Sequence, residues 1–465
     1  MKPPTFSVIM PVYNGAEYLE KAIRSVLTQT VEDVELVIAN DGSTDGSEQI
    51  VRGIDDPRIQ YLHFDQNRGA DIARAEALAL ASGEWISMLD QDDEMHPRKL
   101  EAHLDYVREH PEVELTYNPR YDLLCSGRGI WQMYHPPATL TLTDFVLGFP
   151  ISPSETISTS ELMRRTLTVS DDCPYHGGEI LWYGRHLMSG VKFGFIDEAL
   201  NYRRYHPGRR YGDVAGNRDD YVYAQNGVFE DPRCPEEVRA LRPVAHAWSN
   251  LVWCCHGFVQ GETELAQDML RTASRLDPTL LEGSPASLTK YLANFAVTDD
   301  TRDHEALLRK LFRELPAEAQ PIAGQLDWAI DQGFLIDGLL ALIWGRTDEG
   351  RAKFAAARRR KAKIDESFLF EAAHHLSHFQ ADAGDAAADE AVRLIEGELR
   401  PFGAASAIKR MSGTLRFGRA FRDYRSGQYH NVPRNVLGAI AGDPAYSLNR
   451  GAWSILVRSL VNRSA

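Results

Sequence analysis

The sequence predicts an α/β fold: an open, mainly parallel sheet with flanking helices, followed by a mostly α-helical C-terminal region. Three observations carry that expectation. Over the first 120 residues, short apolar runs alternate with 3.6-residue periodicities; beyond about residue 215 only the helical pattern continues; and one helix-hairpin frame recurs in that second part. The composition agrees. With 465 residues, 43% hydrophobic and 25% charged, the chain has the make-up of a soluble globular protein of two to four domains. Disorder, collagen-like repeats and an integral membrane bundle are excluded.

The strand candidates are SVIMPVY (7–13), VELVIAN (34–40), IQYLHF (59–64), WISML (85–89) and VELTY (113–117). Continuous β-branched runs of this length belong to strands buried on both faces, as in a parallel sheet. Between them, Tyr18, Ala22, Ile23, Val26 and Leu27 form one helical stripe. Ile72, Ala73, Ala77, Leu80 and Ala81 form a second, and Leu100, Leu104 and Val107 a third. Strict alternation implies right-handed βαβ units. Ligands of such sheets bind beyond the carboxyl ends of the strands, so the turn after each strand is where chemistry is expected.

In the helical half, Gly261, Leu270, Ala273, Asp277 and Pro278 reappear as Gly427, Val436, Ala439, Asp443 and Pro444, every pair 166 residues apart. Small residues inside a hairpin closed by an Asp-Pro stop resemble half of a tetratricopeptide unit. The expected division is residues 1–214 for the α/β domain, 215–400 for a helical region and 401–465 for a basic helical segment.

The chain carries 51 basic and 66 acidic residues, a formal charge of -15. A nucleic-acid binder presents a basic surface, so no nucleic-acid partner is expected. Charge is uneven, however. Residues 402–465 hold ten basic residues and two acidic ones, and RAKFAAARRRKAK (351–363) holds seven basic residues. These are either solvated helix faces or a surface for anionic lipid headgroups or a lipid diphosphate acceptor, with Trp453, Ile455, Leu456, Leu460 and Val461 as an apolar edge. The cysteines Cys125, Cys173, Cys234, Cys254 and Cys255 form no CxxC pair, which suits a reducing compartment. The N-terminus lacks a long apolar core, and Phe334 to Trp344, the longest apolar stretch, is shorter than the ~18 to 20 residues of a span and contains Asp337. A cytoplasmic location is expected, with peripheral contact at the inner face of the membrane through the basic C-terminus.

The first strand ends in Pro11-Val12-Tyr13-Asn14-Gly15, where proline removes a backbone donor and glycine permits a sharp turn. The second ends in Asn40-Asp41-Gly42-Ser43-Thr44-Asp45-Gly46-Ser47. That string is a turn with a helix N-cap, and equally a helix N-terminus beyond a strand end, where a polar or anionic ligand can bind. After the third strand, Asn67-Arg68-Gly69 opens a helix that carries Arg74, which is either an ordinary surface arginine or one that would point toward the same crevice. The fourth ends in Asp90-Gln91-Asp92-Asp93-Glu94. Carboxylates this close raise one another's pKa unless a cation neutralises them. An isolated acidic loop is usually just solvated, but a strand end opposite three other such turns favours a metal. Oxygen ligands suit Mg2+ or Mn2+, which share substrate phosphates.

In this order and with these gaps, SVIMPVYNGAEYLEKAIRSVLTQT, VELVIANDGSTDGS, NRGADIARAEAL and WISMLDQDD resemble the glycosyltransferase family 2 domain with the GT-A fold, over about residues 5–210. The resemblance implies inverting transfer of a sugar from a nucleotide diphosphate sugar, most often a UDP-sugar, to a hydroxyl acceptor. It also implies a place in surface polysaccharide or glycoconjugate synthesis. Pro11, Val12 and Tyr13 would line the nucleobase pocket, and Asp41 would accept the uracil imino hydrogen. Arg74 would approach the ribose or phosphates, Asp90 with Gln91 would hold the ribose side, and Asp92 would ligate the metal that bridges the diphosphate. Asn40 departs from the family, which more often has a second aspartate there.

His176 to Arg185 resembles the family's Glu-Asp motif, in which an arginine follows six residues after the aspartate. Counting back from Arg185 puts Glu179 on the aspartate position and Gly178 on the glutamate position, so one carboxylate stands where the family usually has two. A single base within reach suffices to take the acceptor proton. Glu179 is the expected base; the structural alternative is a residue that caps or pairs at a helix start. Tyr202 to Arg209 resembles the loop that closes over the diphosphate, with His206 near metal or phosphate and the arginines supplying positive charge.

The expected cofactor is Mg2+ or Mn2+, and the expected partners are a nucleotide-sugar donor and a saccharide or lipid-linked acceptor. A nucleotidyltransferase would carry a glycine-rich phosphate loop with a basic residue after the first strand, where this chain has PVYNGAEY. The remaining alternative is a catalytically inactive α/β domain that acts with the helical region as a binding scaffold.

Overall fold

The computed structural model describes residues 3–167, 177–206 and 213–462. It divides the chain into two compact units: Met1–Arg128, Tyr134–Glu282 and Arg313–Pro321 form the first, and Gly129–Met133, Gly283–Phe312 and Ile322–Ala465 the second.

The strands, in chain order, are β1 (Phe6–Val12), β2 (Val34–Asn40), β3 (Ile59–His63), β4 (Trp85–Met88), β5 (Glu94–Met95), β6 (Leu115–Tyr117), β7 (Arg120–Leu123), β8 (Ile130–Tyr134), β9 (Thr156–Thr159), β10 (Phe193–Phe195) and β11 (Asn201–Arg204). Among the described residues, all strands precede residue 205, as the loss of the strand pattern predicts. The main sheet has the order β10-β6-β9-β4-β1-β2-β3. β1 pairs in parallel with both β2 and β4, and β2 with β3, while β9 runs antiparallel between β4 and β6. The sheet is therefore mixed, with its four sequence-legible βαβ strands in the order 3-2-1-4. This is the open sheet expected for GT-A. β1 and β2 are buried at every residue, which accounts for their unbroken apolar runs. The segment FGFIDEALNYRR (193–204) supplies two strands to different sheets: β10 joins the main sheet, and β11 lies in a smaller sheet between β5 (antiparallel) and β7 (parallel).

The first unit also holds α1 (Leu19–Leu27), α2 (Ser47–Arg52), α3 (Ala70–Leu80), α4 (Lys99–Glu109), α5 (Leu142–Gly148), α6 (Ser160–Thr166), α7 (Gly177–Ser189), α8 (Val214–Phe229), α9 (Glu236–Arg239), α10 (Arg242–Gln260) and α11 (Thr263–Leu276). The change to helix falls at Val214, yet α8, α10 and α11 stay in the compact unit of the sheet. One core lies on each side of that sheet. Val8, Met10, Leu36 and Ile38 pack with Ile23 and Val26 of α1; Ile9, Val37 and Ala39 pack with Ala73 and Ala77 of α3 and Tyr183 of α7. Alternate residues of each strand thus serve opposite faces.

Apart from Ile130–Met133 of β8, the second unit is built from helices: α12 (Ser287–Ala296), α13 (His304–Arg313), α14 (Leu326–Ile343), α15 (Thr347–Arg359), α16 (Glu366–Leu399), α17 (Ala405–Arg425), α18 (Val432–Gly442) and α19 (Arg450–Asn462). The repeated frame is physical. Gly261 ends α10 at φ 85° and Gly427 follows α17 at φ 76°, both in the left-handed region that favours glycine. Leu270, Ala273, Val436 and Ala439 are all buried in the second helix of their hairpins. Asp277 accepts from the Thr279 N–H and Asp443 from the Ala445 N–H, so each Asp-Pro starts a capped 3-10 turn.

Two surface expectations change. The cluster at 351–363 is largely paired within its own unit: Lys353 with Asp337, Arg358 with Glu398 at 2.9 Å, and Arg360 with Asp331 at 2.6 Å. In the proposed C-terminal edge, Ile455 and Leu456 are core residues, 6% and 8% exposed, because they face α17 and α18; Trp453, Leu460 and Val461 lie outside. Among the described residues, no helix is long and apolar enough to cross a membrane.

Candidate active site

The carboxyl ends of β1, β2 and β4 meet on one side of the sheet, and side chains knit the turns there together. Asn14, at φ 50°, donates its N–H to Ser43 Oγ at 3.0 Å, and its Oδ1 accepts the Thr44 N–H at 2.8 Å. Gly15 N–H bonds Ser47 Oγ at 3.0 Å, and Ala16 N–H bonds Asp45 Oδ2 at 3.0 Å. The residues that read as turn formers are turn formers, each satisfying a backbone donor of the neighbouring turn.

Pro11 and Val12 are buried in β1, whereas Tyr13, just beyond it, is 44% exposed. The Gln91 side-chain amide clamps Tyr13 from both sides: its Oε1 accepts the Tyr13 N–H at 2.8 Å and its Nε2 donates to the Tyr13 carbonyl at 2.9 Å. A Cβ on residue 15 would lie 2.3 Å from Gln91 Oε1, so glycine is needed for the clamp. Asp41 is 2% exposed; its two oxygens accept the N–H groups of Arg68 and Gly69, each at 2.8 Å. The carboxylate expected at the base thus ties the β2 turn to the start of α3. Gly42, at φ 71°, permits that approach, since a Cβ there would stand 2.5 Å from the Gln66 backbone. Asn40 accepts the Ser43 N–H at 3.0 Å and donates to Tyr61 Oη at 2.7 Å, a neutral structural role that an ionised aspartate could not fill on the donor side.

Arg74, 4% exposed on α3, reaches across to Asp90 Oδ1 at 3.0 Å and to Asp71 at 3.3 Å. Ligand atoms of Asp90, Asp92 and Asp93 all lie within 4.8 Å of one another. Asp93 is 1% exposed and accepts the Arg204 N–H at 3.1 Å, joining the β4 end to β11. His206 Nε2 is 3.0 Å from Asp92 Oδ2, and its ring packs against Tyr18 at 4.5 Å. Arg204 stacks over Tyr18 at 4.9 Å and pairs with Glu94. Asp92 and His206, 114 residues apart, therefore share one corner. Hard carboxylate oxygens with one imidazole nitrogen are a donor set that fits Mn2+ or Mg2+.

Residue 179 lies in the first turn of α7, one helical turn before Tyr183, whose buried hydroxyl is 3.0 Å from Thr156 Oγ1. The Glu179 side chain, His176 and the Pro207-Gly208-Arg209 part of the loop lie outside the described residues. Arg185 is exposed, within electrostatic reach of Asp231. Gly184 lets α7 approach its neighbours, since a Cβ there would be 2.6 Å from Val228 and 2.8 Å from Phe145.

Sequence reasoning missed the support beneath the acidic turn. Ser154 Oγ accepts the Asp90 N–H at 3.1 Å, and its carbonyl accepts from Lys99 Nζ and from Asn201 Nδ2 at 2.6 Å. Burial pushes the Lys99 ammonium down to about 7, against the pull of Glu155 and Asp93. Arg120 bonds Asp122 and Glu155, each at 2.8 Å; burial alone would lower its pKa, but the two carboxylates raise it well above the usual value. One signal was legible: Ser152-Pro153-Ser154-Glu155 is a capping box, and both its reciprocal bonds are present.

A family model described as Glycosyl transferase family 2 matches residues 7–145. The glycosyltransferase GlyG of Streptococcus pneumoniae serotype 4 is 33% identical over 226 residues, covering 48% of this chain and 67% of its own. WcaA of Escherichia coli K12, provisionally named a colanic acid biosynthesis glycosyl transferase, is 36% identical over 154 residues, 32% of this chain and 50% of its own. TuaG of Bacillus subtilis 168, provisionally named a teichuronic acid biosynthesis glycosyltransferase, is 34% identical over 143 residues, 30% of this chain and 56% of its own. The chain spans about half the length of WcaA and TuaG.

Proposed function

We propose, from the premise that this chain belongs to glycosyl transferase family 2, that it is a metal-dependent inverting glycosyltransferase. It moves a sugar from a nucleoside diphosphate donor, a UDP-sugar, to the hydroxyl of a saccharide or lipid-linked acceptor in surface polysaccharide or glycoconjugate synthesis. One observation carries the reading: Asp92 and His206 meet at 3.0 Å beside Asp90 and Asp93 at the carboxyl end of β4, next to the interlocked turns of β1 and β2. The provisional names of WcaA and TuaG support the polysaccharide context.

Asp92 and His206 would hold Mg2+ or Mn2+, which supplies charge neutralisation for the diphosphate leaving group. The chain's own residues do the rest. Pro11, Val12, Tyr13 and Asp41 form the nucleobase end of the crevice, with Gln91 holding Tyr13 in place. Arg74 and Asp90 form the ribose and phosphate end. In the transfer, the acceptor oxygen bonds the anomeric carbon while the bond to the diphosphate oxygen breaks on the opposite face. Glu179 takes the acceptor proton. The basic C-terminal segment supports peripheral membrane contact, and the free buried thiols of Cys234, Cys254 and Cys255 suit a cytoplasmic setting.

The test is thermal stabilisation by a panel of UDP- and GDP-sugars with and without Mn2+, since a bound donor raises apparent stability by mass action. A UDP-sugar should raise Tm only when the ion is present. Equal stabilisation without divalent ion would remove the metal from the reading, and none with any nucleotide sugar would remove the enzyme.

A further inference from the structure

Helix α19 carries apolar residues on two opposite faces. One is consumed inside the second unit: Ala452, Ile455 and Leu456 are at most 8% exposed and pack in one cluster with Ala420, Val432 and Val436. The other is bare. Trp453, Val457, Leu460 and Val461, at helical spacings of four, seven and eight from the first, are 44%, 58%, 50% and 67% exposed. Leu448, two residues before the helix, is 85% exposed. The Trp453 indole N–H already donates to the Ser447 carbonyl at 2.7 Å, which anchors the ring without using a solvent partner.

The charge on this helix has one sign. Arg450 and Arg458 are exposed on the same helix, and α19 contains no acidic residue. The two acids of the C-terminal segment are engaged elsewhere: Asp423 accepts from Asn435 at 2.7 Å, and Asp443 pairs with Arg410 at 3.0 Å while capping its 3-10 turn. An apolar stripe flanked by arginines is the chemistry of a helix lying in the headgroup region of an anionic bilayer. A second copy of the chain fits it poorly. Isologous packing would set arginines against arginines, and four partly exposed side chains fall well short of the ~800 Å² per partner of a standard interface.

We propose that the outer face of α19 docks the chain on an anionic phospholipid surface, with Trp453, Val457, Leu460 and Val461 entering the headgroup boundary and Arg450 and Arg458 meeting lipid phosphates. This deepens the membrane contact of the proposed function and is independent of the chemistry at β4. The test is co-sedimentation of the full chain with vesicles of phosphatidylcholine alone or with about 30% phosphatidylglycerol. Binding should require the anionic lipid and weaken several-fold as NaCl rises from about 0.05 to about 0.5 M. Trp453→Ser/Val457→Ser/Leu460→Ser should lower vesicle affinity at least about tenfold, and Arg450→Gln/Arg458→Gln roughly fivefold per charge. Both variants change exposed side chains, so their melting curves and donor-induced Tm shifts should match the parent. A missing donor shift would count against the enzyme reading alone. Equal binding to phosphatidylcholine, variants that bind like the parent, or a concentration-dependent dimer lost in the triple variant would each overturn the docking surface.

Discussion

Arg74 Nη2 stands 3.0 Å from Asp90 Oδ1, with the arginine 4% exposed and its other terminal nitrogen 3.3 Å from Asp71. One guanidinium therefore holds two carboxylates, and the side chain proposed for the ribose end of the crevice is fixed before any donor arrives. Lysine cannot span both with a single ammonium. Arg74→Lys is expected to weaken donor binding about tenfold, and Arg74→Met to cost about 3 kcal/mol of stability as well, by leaving Asp90 and Asp71 without their counter-charge. Donor titration and urea unfolding check the pair. Unchanged donor affinity in Arg74→Lys would make the ion pair purely structural.

Asp92 is the carboxylate that meets His206. Asp92→Asn keeps the size of the side chain on a partly exposed turn, so the fold should persist within about 1 kcal/mol. Transfer should fall by at least two orders of magnitude, together with the Mn2+-dependent part of donor stabilisation. His206→Ala should lose less, since the charged one of the two proposed ligands, Asp92, remains. Thermal shift with UDP-sugar and a Mn2+ series reads both, and an Asp92→Asn protein with the parent's ion dependence would move the metal elsewhere.

Asp41, the residue proposed to meet the nucleobase, is also a loop tie. Its oxygens receive the Arg68 and Gly69 N–H groups at 2.8 Å each. An asparagine has one acceptor oxygen and would turn its NH2 toward one of those donors. Asp41→Asn should therefore cost about 1 kcal/mol by weakening the tie to the part-buried Arg68 and Gly69 N–H groups, of which Gly69 keeps Asn67 Oδ1 at 2.9 Å, alongside weaker nucleotide binding. Hydrogen exchange at Arg68 should accelerate. Protection equal to the parent's would show the tie is not needed.

The four turns after the parallel strands were legible because each is contiguous in sequence and its residue types have local causes. Proline, glycine, asparagine and clustered aspartates announce where a chain turns, and sheet topology converts those turns into one crevice. The frame from Gly261 to Pro278 was legible for the same reason. Partners distant in sequence were not. Nothing in IQYLHF identifies Tyr61 as the residue that holds Asn40. The SPSE capping box was readable as a local motif, but its place beneath Asp90, 64 residues away, depends on β9 inserting antiparallel beside β4. The apolar positions of α19 were visible, yet period alone did not separate Ile455 and Leu456, which face the core, from Val457, which does not.

Glu179 is the expected base on a helix fixed at Tyr183, one turn further along. A base acts as the acceptor proton leaves, and donor binding precedes that step. Glu179→Gln should thus lower kcat by about 10² to 10⁴ while donor affinity stays within about twofold. Glu179→Asp should recover part of the rate, because the carboxylate is retained at shorter reach. Steady-state kinetics beside donor titration separates these outcomes, and equal losses in rate and affinity would assign the residue to binding.

His103 sets an acid limit on the fold. The ring is fully buried in α4, with Nδ1 2.7 Å from Thr116 Oγ1 and its edge against Trp85 at 4.3 Å. Burial, helped by the nearby Lys99 charge, pushes its pKa down to about 3. In the unfolded chain it titrates near 6.5. Above about pH 6.5 neither state is protonated and the group contributes no pH dependence. Between about 6.5 and 3 the unfolded state binds the extra proton, so stability is lost as pH falls, approaching about 1.4 kcal/mol per unit well below 6.5, and the loss levels off near 3. His103→Asn removes this titration while keeping a polar group beside Thr116. Its stability difference from the parent should be constant above pH 7 and narrow steadily toward pH 4.5 in urea unfolding. A difference that stays constant across that range would mean His103 takes up its proton inside the folded protein.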